Sequence, residues 1–155
     1  NFADENLAGV ARENMTAVGA LASMYDVNLS IAEKAQFAKG LTTQGQTETD
    51  IRRSLADKAK LKYKGLANDI TETVTVKDLV AEQLAAYAQT LELDTKNVKV
   101  SDIEQYAFKD GQLLNASETA QNVKNNNVAY RSTNGAKQNA SAFALGLARS
   151  LGYGV

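Results

Sequence analysis

Proline does not occur anywhere in the 155 residues of this chain. An average sequence carries about 5% proline, and each one disrupts a helix interior by removing an N–H donor and crowding the preceding turn. Its absence predicts long uninterrupted helices and few rigid turns. Three further residue types are missing, and they narrow the chemistry. Without cysteine there is no disulfide framework, thiolate metal site or thiol nucleophile. Without histidine the common general base, the Ser-His-Asp relay and most transition-metal sites are gone. Tryptophan is also absent.

The best-specified segment is residues 75–94. Val80, Leu84, Tyr87 and Leu91 recur at helical spacing, with alanines at 81, 85, 86 and 88 between them. Thr75 with Asp78 three residues on suits a capped helix start, and Asp94 to Asn97 supplies turn chemistry where the apolar rhythm ends. The spacing predicts one central helix around which the chain is organised.

Before it, residues 3–25 read as an amphipathic helix. Leu7, Ala11, Val18, Leu21 and Tyr25 lie on one line with Val10, Ala17 and Met24 beside it, and Asp4 and Glu5 suit the positive end of the dipole. Ser30 and Glu33 form a capping box for a helix over 31–39 that buries Ile31, Ala35 and Ala38 and ends at Gly40. Residues 42–49 read as a loop. Over 50–66 a four-residue apolar spacing (Ile51, Leu55, Ala59, Tyr63) competes with a lysine alternation at 58, 60, 62 and 64 that also fits a strand. The scarcity of β-branched residues favours the helix.

Residues 70–76 (ITETVTV) are dense in β-branched residues and predict a strand, with 98–100 as its partner. Ser101 and Glu104 suggest a second capping box, with a hairpin turning at 109–111 as the alternative for that stretch. Breaks are expected at 125–127 and 132–135. A final helix then carries Ala136, Ala140, Phe143 and Leu147 on a face expected to pack, or to lie on a membrane surface, while Ala142 and Gly146 allow close helix approach. The expected class is mainly α: a single elongated helical unit with a small β element (residues 70–76 and 98–114) around a central helix. It comprises a helical arm 1–66, a strand-helix-strand segment 70–114 and a basic helical tail 116–155.

Net charge is −1, so no global field recruits nucleic acid, but charge is laid out in blocks. Residues 51–77 hold seven basic and three acidic side chains, residues 78–118 eight acidic and three basic, and no Asp or Glu follows Glu118. Arg52, Arg53, Lys58, Lys60, Lys62 and Lys64, opposed locally only by Asp57, form one candidate anion or partner contact. Arg131, Lys137 and Arg149 form another. Dinucleotide, Walker, zinc-protease and calcium-loop patterns do not occur, so no catalytic, cofactor-binding or metal-binding residue is expected. Sequons begin at Asn14, Asn28, Asn115 and Asn139 and read as chance in a chain rich in Asn, Ser and Thr. No apolar run approaches the ~20 residues that span a bilayer. The start at Asn1 is expected of a processed product or an excised segment.

The Ala-, Asn-, Gln- and Thr-rich texture of residues 1–66 and 116–155 resembles the helical internal (ejection) or tail-neck proteins of tailed phages. The resemblance implies a non-enzymatic structural subunit of a multi-copy assembly such as a tube or ring, located in a virion or extracellular assembly. Its partners would be other copies and other assembly proteins, with DNA contacted through the basic segments. The competing expectations are a soluble, cytoplasmic helical adaptor binding nucleic acid or another anion through 52–64, and an enzyme relying on carboxylates or a lysine.

Overall fold

The computed structural model describes residues 2–152; the side chains of residues 1–5, including Asp4 and Glu5, lie outside the described residues. The protein is mainly helical, with a small two-stranded antiparallel sheet. Among the described residues eight α-helices follow in order: α1 Phe2–Met24, α2 Ile31–Thr43, α3 Glu48–Lys62, α4 Val76–Leu79, α5 Ala81–Leu91, α6 Val100–Ala107, α7 Ala116–Asn126 and α8 Asn134–Ser150. The strands β1 (Phe108–Lys109) and β2 (Gln112–Leu113) form a tight hairpin. Among the described residues no helix is long and apolar enough to cross a membrane.

The chain divides into two compact units. The first gathers the chain through Ala81 with Lys99–Ser101 and Asp110–Leu113; the second holds Glu82–Val98, Asp102–Lys109 and the chain from Leu114 onward.

In the first unit α1 packs against α2, α3 and α4. Val18, Leu21 and Tyr25 are buried as their spacing predicts. Leu7, Val10 and Met24 are exposed, and Ala17 is exposed beside them. The buried face therefore belongs to the second half of α1, where Ala22 completes it. The helix closes with Asp26 in the left-handed region and the Val27 N–H donating to the Ala22 carbonyl, a C-terminal motif that Asp tolerates.

Helix α2 starts at the expected capping box, with the Ser30 N–H on the Glu33 carboxylate at 2.8 Å and the Glu33 N–H on Ser30 Oγ at 3.1 Å. It does not stop at Gly40. It runs to Thr43 because the Gln46 side chain folds back over Gly40, into space a Cβ would occupy, while the Gln46 N–H bonds the Gly40 carbonyl. The positive φ falls at Gly45 instead. Of the three residues expected to be buried on α2 only Ala38 is; Ile31 is 78% exposed and Ala35 is exposed. The expected loop 42–49 is correspondingly short, since Thr47 already caps α3 through a reciprocal pair with Asp50. Helix α3 resolves the helix-or-strand choice in favour of the helix, with Ile51, Leu55, Ala56 and Ala59 buried.

Residues 70–76 are not a strand. The Thr71 hydroxyl accepts the N–H groups of Thr73 and Val74, the Thr71 N–H donates to the Val74 carbonyl, and Thr75 caps α4 in a full capping box with Asp78. Threonine side chains thus take the donors a sheet ladder needs. Val98 is extended but has no ladder to join, and α6 begins at Val100, so the expected strand at 98–100 is absent and Ser101 lies inside the helix rather than at its cap. The β element is confined to 108–113. There Asp110 and Gly111 both take positive φ, as a two-residue hairpin turn requires.

The central helix expected over 75–94 is interrupted at Val80, and the first unit ends one residue later, at Ala81. In the second unit Leu91, Tyr106 and Val123 form a core against which Tyr87 and Tyr130 pack, with the Tyr87 and Tyr106 rings 5.8 Å apart. Helix α5 ends with Glu92 left-handed and the Leu93 N–H on the Ala88 carbonyl. Asn115, Asn127 and Thr133 cap α7, the 3-10 turn Val128–Ser132 and α8, so both expected breaks fall at helix boundaries.

Candidate functional site

Two surfaces carry the functional possibilities, one in each unit. The first is the basic side of α3. Its cations are not opposed only by Asp57, because the fold brings acids to them from elsewhere. Arg52 Nε lies 2.9 Å from Glu48 and Arg53 Nε 2.9 Å from Glu72. Lys58 is 3.9 Å from Glu33, Lys60 is 3.9 Å from Asp57 and Lys62 is 2.6 Å from Asp26. Glu48 is the main reason the Arg52 guanidinium titrates above its ordinary value. Exposed pairs of this kind contribute little stability, about 0–1 kcal/mol each. Lys64 sits apart in the 3-10 turn Lys64–Leu66.

Lys58 and Lys62, one helical turn apart, face a cleft of about 640 Å³. Lys34 from α2 and Lys99 reach the same cleft, and neither residue stood out in the sequence. Asp26 is the one acid among its lining residues. Its carboxylate, only 15% exposed, accepts from Lys62 Nζ at 2.6 Å and from the Tyr63 hydroxyl. No local pattern pointed to Lys34 or Lys99, because α2, α3 and residues 99–101 are joined only by tertiary packing. Arg52 lines a separate depression with Glu48 and Glu72, so the basic segment 52–64 is divided rather than gathered into one patch.

The second surface is α8. This helix was expected to pack its apolar face, and it does not: none of its residues is buried. Phe143 is 74% exposed, Leu147 50% and Leu145 44%, and Leu151 just beyond the helix is 64% exposed. Helix α8 is held at its N-terminal end. There the Asn134 N–H donates to the Glu92 carboxylate at 2.6 Å and Asn139 Nδ2 to the Tyr130 hydroxyl at 3.1 Å. Lys137 and Arg149 are exposed on α8, and Arg131 is exposed in the turn before it.

Among the described residues no three Asp or Glu side chains gather as a metal site. Comparison with known proteins returns no match to any family model, curated protein or solved structure.

Proposed function

We propose that this chain is a non-enzymatic structural subunit of a multi-copy assembly, with α8 as its contact element. The observation that supports the reading is a helix of 17 residues with no buried side chain and three large apolar ones in water. Burying a Phe or Leu side chain contributes about 1.5–3 kcal/mol, so the exposed face is a standing drive to associate.

The occupant is a second copy. Residues after Glu118 carry no acidic side chain, whereas 78–118 carry five more acids than bases, so each copy holds both halves of an electrostatic match. Ala142 and Gly146, both exposed and four residues apart, let a partner backbone come close. A contact between two different surfaces repeats head to tail and builds rings or filaments. Tubes, rings and the ejection or neck proteins of phage virions are assemblies of that kind, and the texture of residues 1–66 and 116–155 favours this class.

Sedimentation of the full chain tests the reading. The wild type is expected to run heavier than a monomer and to grow with concentration. A Phe143→Ser, Leu147→Ser variant should remain monomeric with an unchanged helical spectrum. A wild type that is monomeric at every concentration overturns the proposal, and a closed dimer seen by electron microscopy removes its ring-or-tube form.

A further inference from the structure

We infer that a cleft of the second unit, at the N-terminal end of α8, binds a free amino acid with a polar side chain. The inference does not depend on the assembly proposed above. Helices α5, α7 and α8 and the turn Val128–Ser132 border about 290 Å³ there. Glu92 and Lys124 bring opposite charges to this lining. Among the described residues no ion pair joins the two, and none joins Lys124 to another acid. Glu92 is fixed by its left-handed backbone at the end of α5 and by its Oε2, which accepts the Asn134 N–H at 2.6 Å. A carboxylate offers about four acceptor positions, so one such bond leaves Glu92 able to take a ligand ammonium. Lys124 stands in the last turn of α7.

A ligand with one charge is attracted by one of these side chains and repelled by the other. A zwitterion satisfies both, its ammonium on Glu92 and its carboxylate on Lys124, through charge-assisted hydrogen bonds. At about 290 Å³ the cleft lies just below the range of drug-sized ligand sites, roughly 300–1,000 Å³, so it suits one small molecule. The rest of the lining sets the side chain. Gln89, Gln138 and Asn139 offer amides that both donate and accept, and no Val, Leu or Ile takes part. Tyr130 packs its ring on the Leu91, Tyr106 and Val123 core, while its hydroxyl accepts from Asn139 Nδ2 at 3.1 Å. That hydroxyl keeps its own proton to donate. An apolar side chain gains little from such walls, whereas an amide or hydroxyl side chain finds partners.

The test follows amide shifts of the full chain during titration with L-glutamine. N-acetyl-L-glutamine and L-glutaminamide serve as probes that each lack one charge. L-glutamine should give saturable shifts, largest near Gln89, Glu92 and Lys124, and each one-charge probe should bind more weakly by roughly fivefold or more. Glu92→Gln, which keeps an acceptor for the Asn134 N–H, and Lys124→Gln should each weaken L-glutamine to a similar extent. Lys77→Gln with Glu82→Gln, which removes the same two charges elsewhere, should change its binding by less than about twofold. Should a cleft variant fail to fold, the one-charge probes on the wild type make the same distinction. No saturable binding of L-glutamine, equal binding of a one-charge probe or of L-leucine, or shifts spread evenly over the chain would each overturn the inference.

Discussion

The hydroxyl of Tyr25, at the end of α1, donates to the carbonyl of Thr71 at 2.7 Å, closing 46 residues of chain. The Tyr25 ring is fully buried, and burial is the leading reason its phenol titrates above the ordinary tyrosine value. The bond pins the threonine-rich turn to α1 through a carbonyl that a strand would have offered to a neighbour. Tyr25→Phe removes the hydroxyl, and with it the bond to Thr71 and the contact with Arg52, and should cost about 1–2 kcal/mol, while Tyr25→Ala should cost about 3–5 kcal/mol through the cavity it leaves. Urea unfolding measures both; a Phe variant as stable as the wild type would show that the hydroxyl contributes nothing.

Helix α5 separates two kinds of burial. Leu84 and Leu91 are buried, and replacing either by Ala should destabilise by about 2–5 kcal/mol. Gln83 lies off the apolar line and its spacing predicts a neutral position, yet it is buried and its side-chain amide donates to the Leu114 carbonyl at 2.7 Å. Gln83→Ala should therefore cost about 1–3 kcal/mol, because the part-buried Leu114 carbonyl loses its donor. Gln89 is exposed, and Gln89→Ala should stay within roughly 0.5 kcal/mol. Equal effects at positions 83 and 89 would contradict the Leu114 bond.

The capping boxes tie stability to pH. Ser30 and Thr47 donate backbone N–H groups to Glu33 and Asp50, and these bonds are the main reason both carboxylates titrate below their ordinary values. A carboxyl group whose pKa is lower in the folded state binds its proton less readily there than in the unfolded chain. Its stabilisation is therefore present above the ordinary carboxylate value, about 4, and is lost as pH falls through the folded value. Urea midpoints should fall as the solution is taken from neutral to below about pH 4. Glu33→Gln with Asp50→Asn should lower the midpoint at neutral pH and flatten that decline. An unchanged slope would assign the acid sensitivity to other groups.

The proposed assembly has an electrostatic component that salt exposes. Replacing Arg131, Lys137 and Arg149 by glutamate reverses the charge of the acid-free tail. The folded variant should remain monomeric at low salt, where the wild type associates, and raising salt should weaken the wild type. Light scattering across a salt series reads both. Identical assembly of the two proteins in all salts would leave the apolar face of α8 as the sole drive.

Much of the helical framework is legible because its signals act within four residues. Ser30 with Glu33, Thr75 with Asp78, and Asp94 closing its turn all fold as read, since a cap needs only a side chain and an N–H two or three positions on. Helix α3 is legible from the spacing of Ile51, Leu55 and Ala59 despite the competing lysine alternation. What sequence determined, then, is the helical class and the capped starts of α2 and α4.

Tertiary structure decided the rest, because burial and charge pairing depend on which distant surface arrives. Ile31 is on an apolar line yet exposed, and Gln83 is off one yet buried. Residues 70–76 have strand composition, but no ladder forms there and the threonine hydroxyls hold the turn to which Tyr25 bonds. The basic run on α3 becomes a set of ion pairs and one cleft only when Asp26, Glu33, Lys34 and Lys99 come to it from other segments. Phe143 and Leu147 follow the same periodicity that buries Leu84 and Leu91, and they stay in water. Periodicity fixes which residues share a side of a helix; the packing of remote segments decides whether that side is covered.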